Sequence, residues 1–190
     1  VSVVEVFVQM VRVGIHALPI VMLLSATIGI MLAVQGIYSL SLFGAESYVY
    51  VGIALSVTRE FAPLITAILI AGRSGSALAA RLSTMTINQE VDALRAMGIN
   101  PVRFLVAPAL IAMLVMLPAL TIWSNLVSFT AAGMYVASTL DISLAAFQSD
   151  VLSVLSVDDV MHGLIKSVAF AVLIVTVSVV NGLRVQGGAE

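Results

Sequence analysis

Four charged side chains lie within long apolar stretches of the chain. Arg59, Glu60 and Arg73 interrupt residues 47–80, and Lys166 interrupts residues 160–183. Arg73 lies near the end of its stretch, where it can reach lipid headgroups or water, whereas the other three lie deeper. Guanidinium and ammonium groups bind phosphates and carboxylates, and a carboxylate in such surroundings can also relay a proton. Adjacent residues on a helix do not face each other, so Arg59 and Glu60 cannot pair well. Lys166 is therefore the predicted partner of Glu60.

Pro63 adds a backbone feature to the same place. It has no amide hydrogen to bond the carbonyl of Arg59, so we expect a kink and a free acceptor there. Two interpretations fit: a structural ion pair that holds two helices together, or the polar lining of a substrate cavity. Because charged residues inside apolar spans mark functional sites by default, Arg59, Glu60 and Lys166 are candidate cavity residues.

Other catalytic and metal-binding patterns are weak. Residues 72–75 read Gly-Arg-Ser-Gly, which matches the GxSG pattern of intramembrane serine proteases with Ser74 as the nucleophile. His16 and His162 are the two histidines, and no HExxH or acidic cluster has metal-ligand spacing, so we predict neither a metal site nor a catalytic residue. The chain also lacks GxxxxGK[ST], so it cannot hydrolyse ATP by the P-loop route.

The composition is that of an integral membrane protein. The 190 residues are 61% hydrophobic and 9% charged, against about 25% charged residues in a soluble domain. The net charge of −2 gives no indication of nucleic-acid binding, and the absence of cysteine excludes disulfides. The chain begins with Val1 and ends in Gly-Gly-Ala-Glu, so we expect a single transmembrane domain over residues 1–190 that is truncated at both ends.

Apolar runs long enough to cross a bilayer predict an all-α, multi-pass fold. The four predicted spans are residues 13–45, 47–80, a stretch within 104–140, and 160–183. The third stretch could be one long helix or a hairpin. Residues 141–159 contain four aspartates and no Lys or Arg, whereas Arg81, Arg95 and Arg103 lie before the stretch. Basic residues stay in the cytoplasm, so the sequence predicts one crossing and both chain ends inside.

The segment between the second and third spans is predicted to be a short cytoplasmic amphipathic helix. Thr86 and Gln89 have the spacing of a capping box, Gly98 suits a left-handed stop, and Pro101 prevents continuation. A capped, two-faced helix between spans must dock on something. Its candidate coupling residues are Ile87, Glu90, Val91, Asp92, Leu94, Arg95, Met97 and Gly98.

Small residues recur every four positions near the end of the second span. This spacing lets helix backbones approach closely, so we predict helix packing there. The residues are Gly72, Gly75, Ser76, Ala79 and Ala80.

Three motifs in order resemble the MlaE/YrbE permease family of lipid-transporting ABC systems. They are REFAPLITAILIAGRSGSALAARL from Arg59, INQEVDALRAMGINP from Ile87 and LIKSVAFAVLIVTVSVVNG from Leu164. The resemblance implies a homodimeric permease of the bacterial inner membrane. Each protomer would bind a cytoplasmic ABC ATPase that carries ATP and Mg²⁺, the chain itself binding no cofactor. The dimer would lie beneath a periplasmic MCE-domain lipid-binding protein.

The resemblance also assigns residue roles. The family's Arg-Glu pair corresponds to Arg59 and Glu60, its in-membrane lysine to Lys166, and its coupling helix to residues 87–97. The family has one further C-terminal span. Apolar spans with few charges suit a phospholipid better than an ion or a sugar. The alternatives are an ion- or proton-coupled secondary transporter or channel and, less in keeping with the pattern, an intramembrane serine protease.

Overall fold

A computed structural model describes residues 3–184, and these residues fold into nine α-helices without a strand. The helices are α1 Val3–Val13, α2 Leu18–Ser41, α3 Val49–Ser56, α4 Ala62–Ile70, α5 Ser76–Ile87, α6 Glu90–Ala96, α7 Ala107–Leu140, α8 Leu144–Val154 and α9 Val157–Leu183. Short 3₁₀ turns cover Ile15–Ala17 and Glu46–Tyr48, and π-helical segments cover Val57–Phe61, Ala71–Gly75 and Val102–Val106.

Four helical stretches are long and apolar enough to cross a membrane, which confirms the predicted all-α, multi-pass fold. They are Val3–Ser41, Glu46–Ile87, Val102–Leu140 and Val157–Leu183. The third contains α7, a single helix of 34 residues with Pro118 inside it. At 1.5 Å per residue α7 is about 51 Å long, so the stretch is one long helix and not a hairpin.

The first helical stretch begins earlier than expected. It starts at Val3, ten residues before the predicted start of the span at Val13, and Glu5 and Arg12 lie on α1, which ends at Val13. The apolar residues Val4, Phe7 and Val11 are exposed on α1 at helical spacing, as in helices that lie in a membrane interface. Gly14 follows the end of α1 and packs against the terminal methyl of Met116.

The described residues form two compact units, and α4, α7 and α9 contribute to both. The first unit comprises residues 3–17, 67–117 and 168–184 of the described chain. Within it α5 and the last residue of the π-helical segment before it pack against α9 through small residues. A Cβ on Gly182 would lie 2.8 Å from the carbonyl oxygen of Ala79, and one on Gly75 would lie 3.0 Å from the side chain of Ile174.

The second unit comprises residues 18–66 and 118–167. Its core is apolar, with Phe147 and Val151 of α8 buried against residues of α2, α3 and α7. The pairing of α2 with α7 also uses hydroxyl groups. Ser25 and Ser124 are fully buried and their hydroxyls lie 2.7 Å apart, while the Ser128 hydroxyl donates to the Ser25 carbonyl at 2.9 Å. Small residues and hydroxyl bonds of this kind are typical of helix pairs in membranes.

The helix between the second and third spans forms, but it does not begin as predicted. Thr86 lies within α5 and its hydroxyl donates to the Leu82 carbonyl at 2.8 Å, so the capping box was wrong. The start of α6 is set by Gln89, which is left-handed at φ 60° and caps nothing with its side chain. The predicted stop is confirmed: Gly98 has φ 74° and its amide donates to the Arg95 carbonyl at 3.0 Å.

Candidate functional site

Arg59 and Glu60 lie in the π-helical segment Val57–Phe61 of the second span. The wider turn allows the Ala62 amide to bond the Val57 carbonyl, and Pro63 has no amide to offer the Arg59 carbonyl. Arg59 is 13 residues from the start of the helical stretch at Glu46, which places it about 20 Å along the span. This carbonyl is therefore available to a donor from another helix.

That donor is Lys166 of α9. Its ammonium nitrogen lies 3.0 Å from the Arg59 carbonyl oxygen and 2.6 Å from Oε1 of Glu60. Both the predicted Lys166–Glu60 pair and the free carbonyl acceptor are confirmed. The two contacts fix Lys166 on the π-helical segment, whose irregular backbone supplies one of them.

The partner of Arg59 is Asp159, which sequence reasoning missed. The Arg59 Nε lies 2.9 Å from Oδ1 of Asp159. The other carboxylate oxygen accepts from the backbone amide of Ser156 at 3.0 Å and from its hydroxyl at 2.7 Å. The Asp159 amide in turn bonds the Ser156 hydroxyl at 3.2 Å. This is a capping box at the start of α9, so the helix cap also orients the carboxylate that holds Arg59.

Gly163 brings the two helices close enough for these contacts. A Cβ on Gly163 would lie 2.4 Å from the carbonyl oxygen of Thr58, so only glycine fits here. Asp159, Gly163 and Lys166 are spaced by four and then three residues, which places them on one face of α9. The signals that could have found them are the Ser156-x-x-Asp159 pattern before an apolar run and the spacing of the glycine between two charged residues.

We name Arg59, Glu60, Asp159 and Lys166 the charged cluster. It contains two cations and two anions in two ion pairs, so its formal charges sum to zero. The side chains remain accessible within the single chain: 45% for Arg59, 66% for Glu60 and 40% for Lys166, against 9% for Asp159. Asp159 is therefore the buried, firmly held member of the cluster, and the other three charged groups can contact a polar ligand.

The candidate coupling residues lie on α6 and beside it. Val91 is 4% exposed, so it packs within the chain and, unlike the other candidate coupling residues, offers little surface to a partner. Leu94 is half-buried, and Ile87 and Met97 are exposed, Met97 at 65%. An ion pair of 2.9 Å joins Arg95 to Asp92 on the surface, while Glu90 and Gly98 are also exposed. The accessible apolar surface of this segment thus comes from Ile87, Leu94 and Met97.

The small residues of the second span divide into two sets. Gly75 and Ala79 lie against α9. Gly72, Ser76 and Ala80 are exposed among the described residues, and a Cβ on Gly72 would meet nothing within 4 Å. The first set packs within the chain, and the second forms an open row at the spacing that brings helices together.

Ser74 and His16 line one pocket of the first unit. Within residues 3–184 the Ser74 hydroxyl makes no hydrogen bond to an imidazole. A serine nucleophile needs its base within about 2.6–3.2 Å. The same residues contain no group of three His, Asp or Glu side chains placed to hold a metal ion.

Comparison with known proteins gives the family. The sequence matches the model of the family described as Permease MlaE over residues 6–190. The chain therefore belongs to the MlaE permease family. A probable ABC transporter permease protein of Rickettsia prowazekii is 31% identical over 96% of this chain and 70% of its own length. A protein with the same designation from Synechocystis is 36% identical over 96% of this chain and 69% of its own length.

A plant protein belongs to the same set of relatives. TRIGALACTOSYLDIACYLGLYCEROL 1, a chloroplastic protein of Arabidopsis thaliana, is 31% identical over 96% of this chain and 52% of its own length. Membership of the MlaE family and four apolar helical stretches together make this chain a multi-pass membrane permease subunit.

Proposed function

We propose that this MlaE permease moves phospholipid, or a related lipid, between the bacterial inner membrane and a periplasmic MCE-domain protein. A separate cytoplasmic ATPase supplies the energy, and two copies of the permease form the pathway. The observation that carries the proposal is the charged cluster: accessible Arg59 and Glu60 lie about 20 Å along the second span, and accessible Lys166 reaches them from α9. Charged groups at such depth face a cavity or a partner and not lipid tails.

The cluster suits the polar head of a lipid. Arg59 offers a planar donor fork that matches a phosphate group, and Lys166 offers a point charge. Glu60 and Asp159 keep the cluster uncharged, so a headgroup can leave again after it has bound. The acyl chains would lie on exposed apolar residues of the spans, such as Leu64 and Ile165. The name of the Arabidopsis relative is that of a glycerolipid, which agrees with a lipid substrate.

A second copy of the chain would cover surfaces that are open in one copy. Gly72, Ser76 and Ala80 form an exposed row at the spacing of close helix packing. Glu60 is 66% exposed on a helix that spans the membrane, and a charge turned towards hydrocarbon is costly. A homodimer with the charged cluster facing an internal cavity removes that cost.

We assign the coupling to an ATPase to α6 and the residues directly after it. This chain has no P-loop, and the ABC permease designation of its relatives implies an ATPase subunit. Leu94 and Met97 supply accessible apolar surface, and the Arg95–Asp92 pair supplies polar contacts at the rim. A short helix that is held at Val91 and stopped at Gly98 can pass motion from a partner to the adjoining spans.

The test compares transport with stability on the same variants. We expect Glu60→Gln to reduce ATP-dependent transfer of fluorescent phospholipid from reconstituted vesicles at least tenfold, because it leaves the cluster with excess positive charge. Its thermal midpoint in detergent should change little, since an accessible ion pair contributes about 0–1 kcal/mol. Glu46→Gln, at the end of the same span, is the matched control and should transfer lipid normally.

Three results would count against the proposal. Reduced stability with normal transfer per folded molecule would leave a purely structural ion pair. Transfer that needs an ion gradient and no ATPase would indicate a secondary transporter. An equal loss of transfer in Glu46→Gln would show that the effect is not specific to the charged cluster.

A further inference from the structure

A second polar pocket lies in the first unit and is not explained by the charged cluster. It has a volume of about 220 Å³ and is formed by α1, the turn after it, the π-helical segment Ala71–Gly75, α5 and α7. Its polar lining consists of Gln9, Arg12, His16, Arg73, Ser74 and Arg81. Its floor is apolar, with Val13, Leu78 and Met113 buried. We call it the basic pocket.

The basic pocket carries an excess of positive charge. Arg81 lies 3.9 Å from the carboxylate of Glu5, so one of the three guanidinium groups is partly neutralised. Within residues 3–184 no carboxylate lies within ion-pair distance of Arg12 or Arg73. Two arginines at the border of an apolar floor thus lack a counter-ion, and an anionic ligand would provide it.

Arg12 and Arg73 each lie beside an irregular backbone feature. Arg12 precedes Gly14, which packs against the terminal methyl of Met116. Arg73 and Ser74 lie in a π-helical segment, a feature that occurs often at functional sites. The two arginines therefore reach the pocket from two separate helical segments.

The volume of the basic pocket and the chemistry of its lining limit the class of ligand that it can bind. The volume of about 220 Å³ is below the range of about 300–1,000 Å³ for drug-sized ligands, so a nucleotide or a whole lipid does not fit. A phosphate ester with a small polar substituent does. Guanidinium groups bind phosphate oxygens in pairs, and Ser74 and Gln9 can hydrogen-bond the substituent. Such a group belongs either to a phospholipid head or to free phosphate.

We infer that the basic pocket binds the phosphate group of a phospholipid from the cytoplasmic leaflet, with Arg12 and Arg73 as its main contacts. The lipid source is favoured because the floor is apolar and continues into the spans that carry Arg73 and Met113. The cytoplasmic side follows from the predicted orientation of the basic residues. The pocket is separate from the transport proposal and can be tested without ATP or a partner.

The experiment measures binding of dihexanoyl phosphatidylglycerol to the full chain in a neutral detergent by calorimetry. Arg73→Gln and Arg12→Gln should each weaken binding about ten- to a hundredfold, the effect of losing a charged hydrogen-bond partner. Arg73→Lys should fall between Arg73→Gln and the original chain, because it keeps the charge and loses the fork. Arg103→Gln is the matched control, since Arg103 lies in another π-helical segment and not in the pocket.

Two further sets of measurements distinguish a phospholipid from free phosphate, and the basic pocket from the charged cluster. Dihexanoylglycerol has the same chains without phosphate and should not bind. Inorganic phosphate distinguishes the free anion: if it binds in an Arg73-dependent way and the lipid probe does not, the lipid assignment is overturned. The series is repeated on a chain that carries Arg59→Gln, because the charged cluster could bind the same probe.

The inference is overturned if Arg12→Gln and Arg73→Gln, both folded by thermal midpoint, bind the lipid probe like the original chain. It is also overturned if Arg103→Gln weakens binding as much, because the arginines would then act only through general surface charge. Arg12 lies on the short exposed helix α1, so its variant tests the pocket even if Arg73→Gln does not fold.

Discussion

Gly163→Ala should separate α9 from the second span and disrupt the charged cluster. The added Cβ would lie 2.4 Å from the Thr58 carbonyl oxygen, whereas carbon and oxygen in contact lie about 3.3–3.6 Å apart. The helices must therefore move apart by about 1 Å. The Lys166–Glu60 contact at 2.6 Å and the Lys166 contact with the Arg59 carbonyl at 3.0 Å both depend on this approach.

The magnitude follows from two opposing effects. Overpacking a close contact costs about 1–3 kcal/mol, while replacing glycine by alanine inside a helix gains about 0.5–1 kcal/mol. The net loss of about 0–2.5 kcal/mol corresponds to a thermal midpoint that is lower by up to about 10 °C in a chain of this size. Lipid transfer should fall more sharply than stability, because a shift of 1 Å in a binding constellation can cost about a hundredfold.

Gly52→Ala is the matched control. Gly52 lies in α3 of the same span, and a Cβ there would meet nothing within 4 Å. This variant keeps the helix-propensity gain without the clash, so its midpoint should stay level or rise slightly and its transfer should be normal. Both variants are compared by thermal unfolding in detergent and by vesicle transfer assays. If Gly163→Ala matches Gly52→Ala in both measurements, the close approach does not position the charged cluster.

Two further predictions concern coupling and orientation. Leu94→Asp should release a co-purifying ATPase while the membrane fold stays intact, since burial of an apolar anchor contributes about 1.5–3 kcal/mol. Ala96→Asp, on the other side of α6, is the control. Full retention of the ATPase by Leu94→Asp would contradict the docking. Single cysteines at Asn88 and Ser149, both exposed in a chain without native cysteine, should react with impermeant reagents from opposite sides of the membrane. Reaction of both from one side would refute the predicted orientation.

Local chemistry made much of the second span predictable. Pro63 lacks an amide whatever the fold, so a free acceptor at Arg59 follows from the sequence. The pairing of Glu60 with Lys166 needed little more than the high cost of isolated charges in apolar spans. The length of residues 104–140 left one helix and a hairpin both open, and the basic residues before the stretch and the acidic residues after it decided for one helix.

The sequence-based predictions failed where two local signals competed, or where the position of one helix along another decides which side chains meet. The Thr86 hydroxyl could cap a new helix or bond back to Leu82, and α5 continued because its residues already lay in a regular helix. Gln89 then took a left-handed conformation that sequence rules assign to glycine or asparagine. The Arg59–Asp159 pair depends on how α9 is positioned along the second span, and Gly163 fixes that position through a backbone contact that no composition reveals.

Three of the arginines in the helical stretches lie in π-helical segments, whereas Arg12 and Arg81 lie in regular α-helix. Each of the three π-helical segments of the described chain contains a single arginine: Arg59 in Val57–Phe61, Arg73 in Ala71–Gly75 and Arg103 in Val102–Val106. A π turn adds one residue to the helix and leaves local carbonyl and amide groups less regularly paired, a state that lipid would penalise. In the first segment the penalty is offset by Lys166, which bonds the Arg59 carbonyl. The π-helical segment at Arg73 borders the basic pocket. The phosphate ligand that we infer there would supply polar contacts to this segment, as Lys166 does to the segment at Arg59.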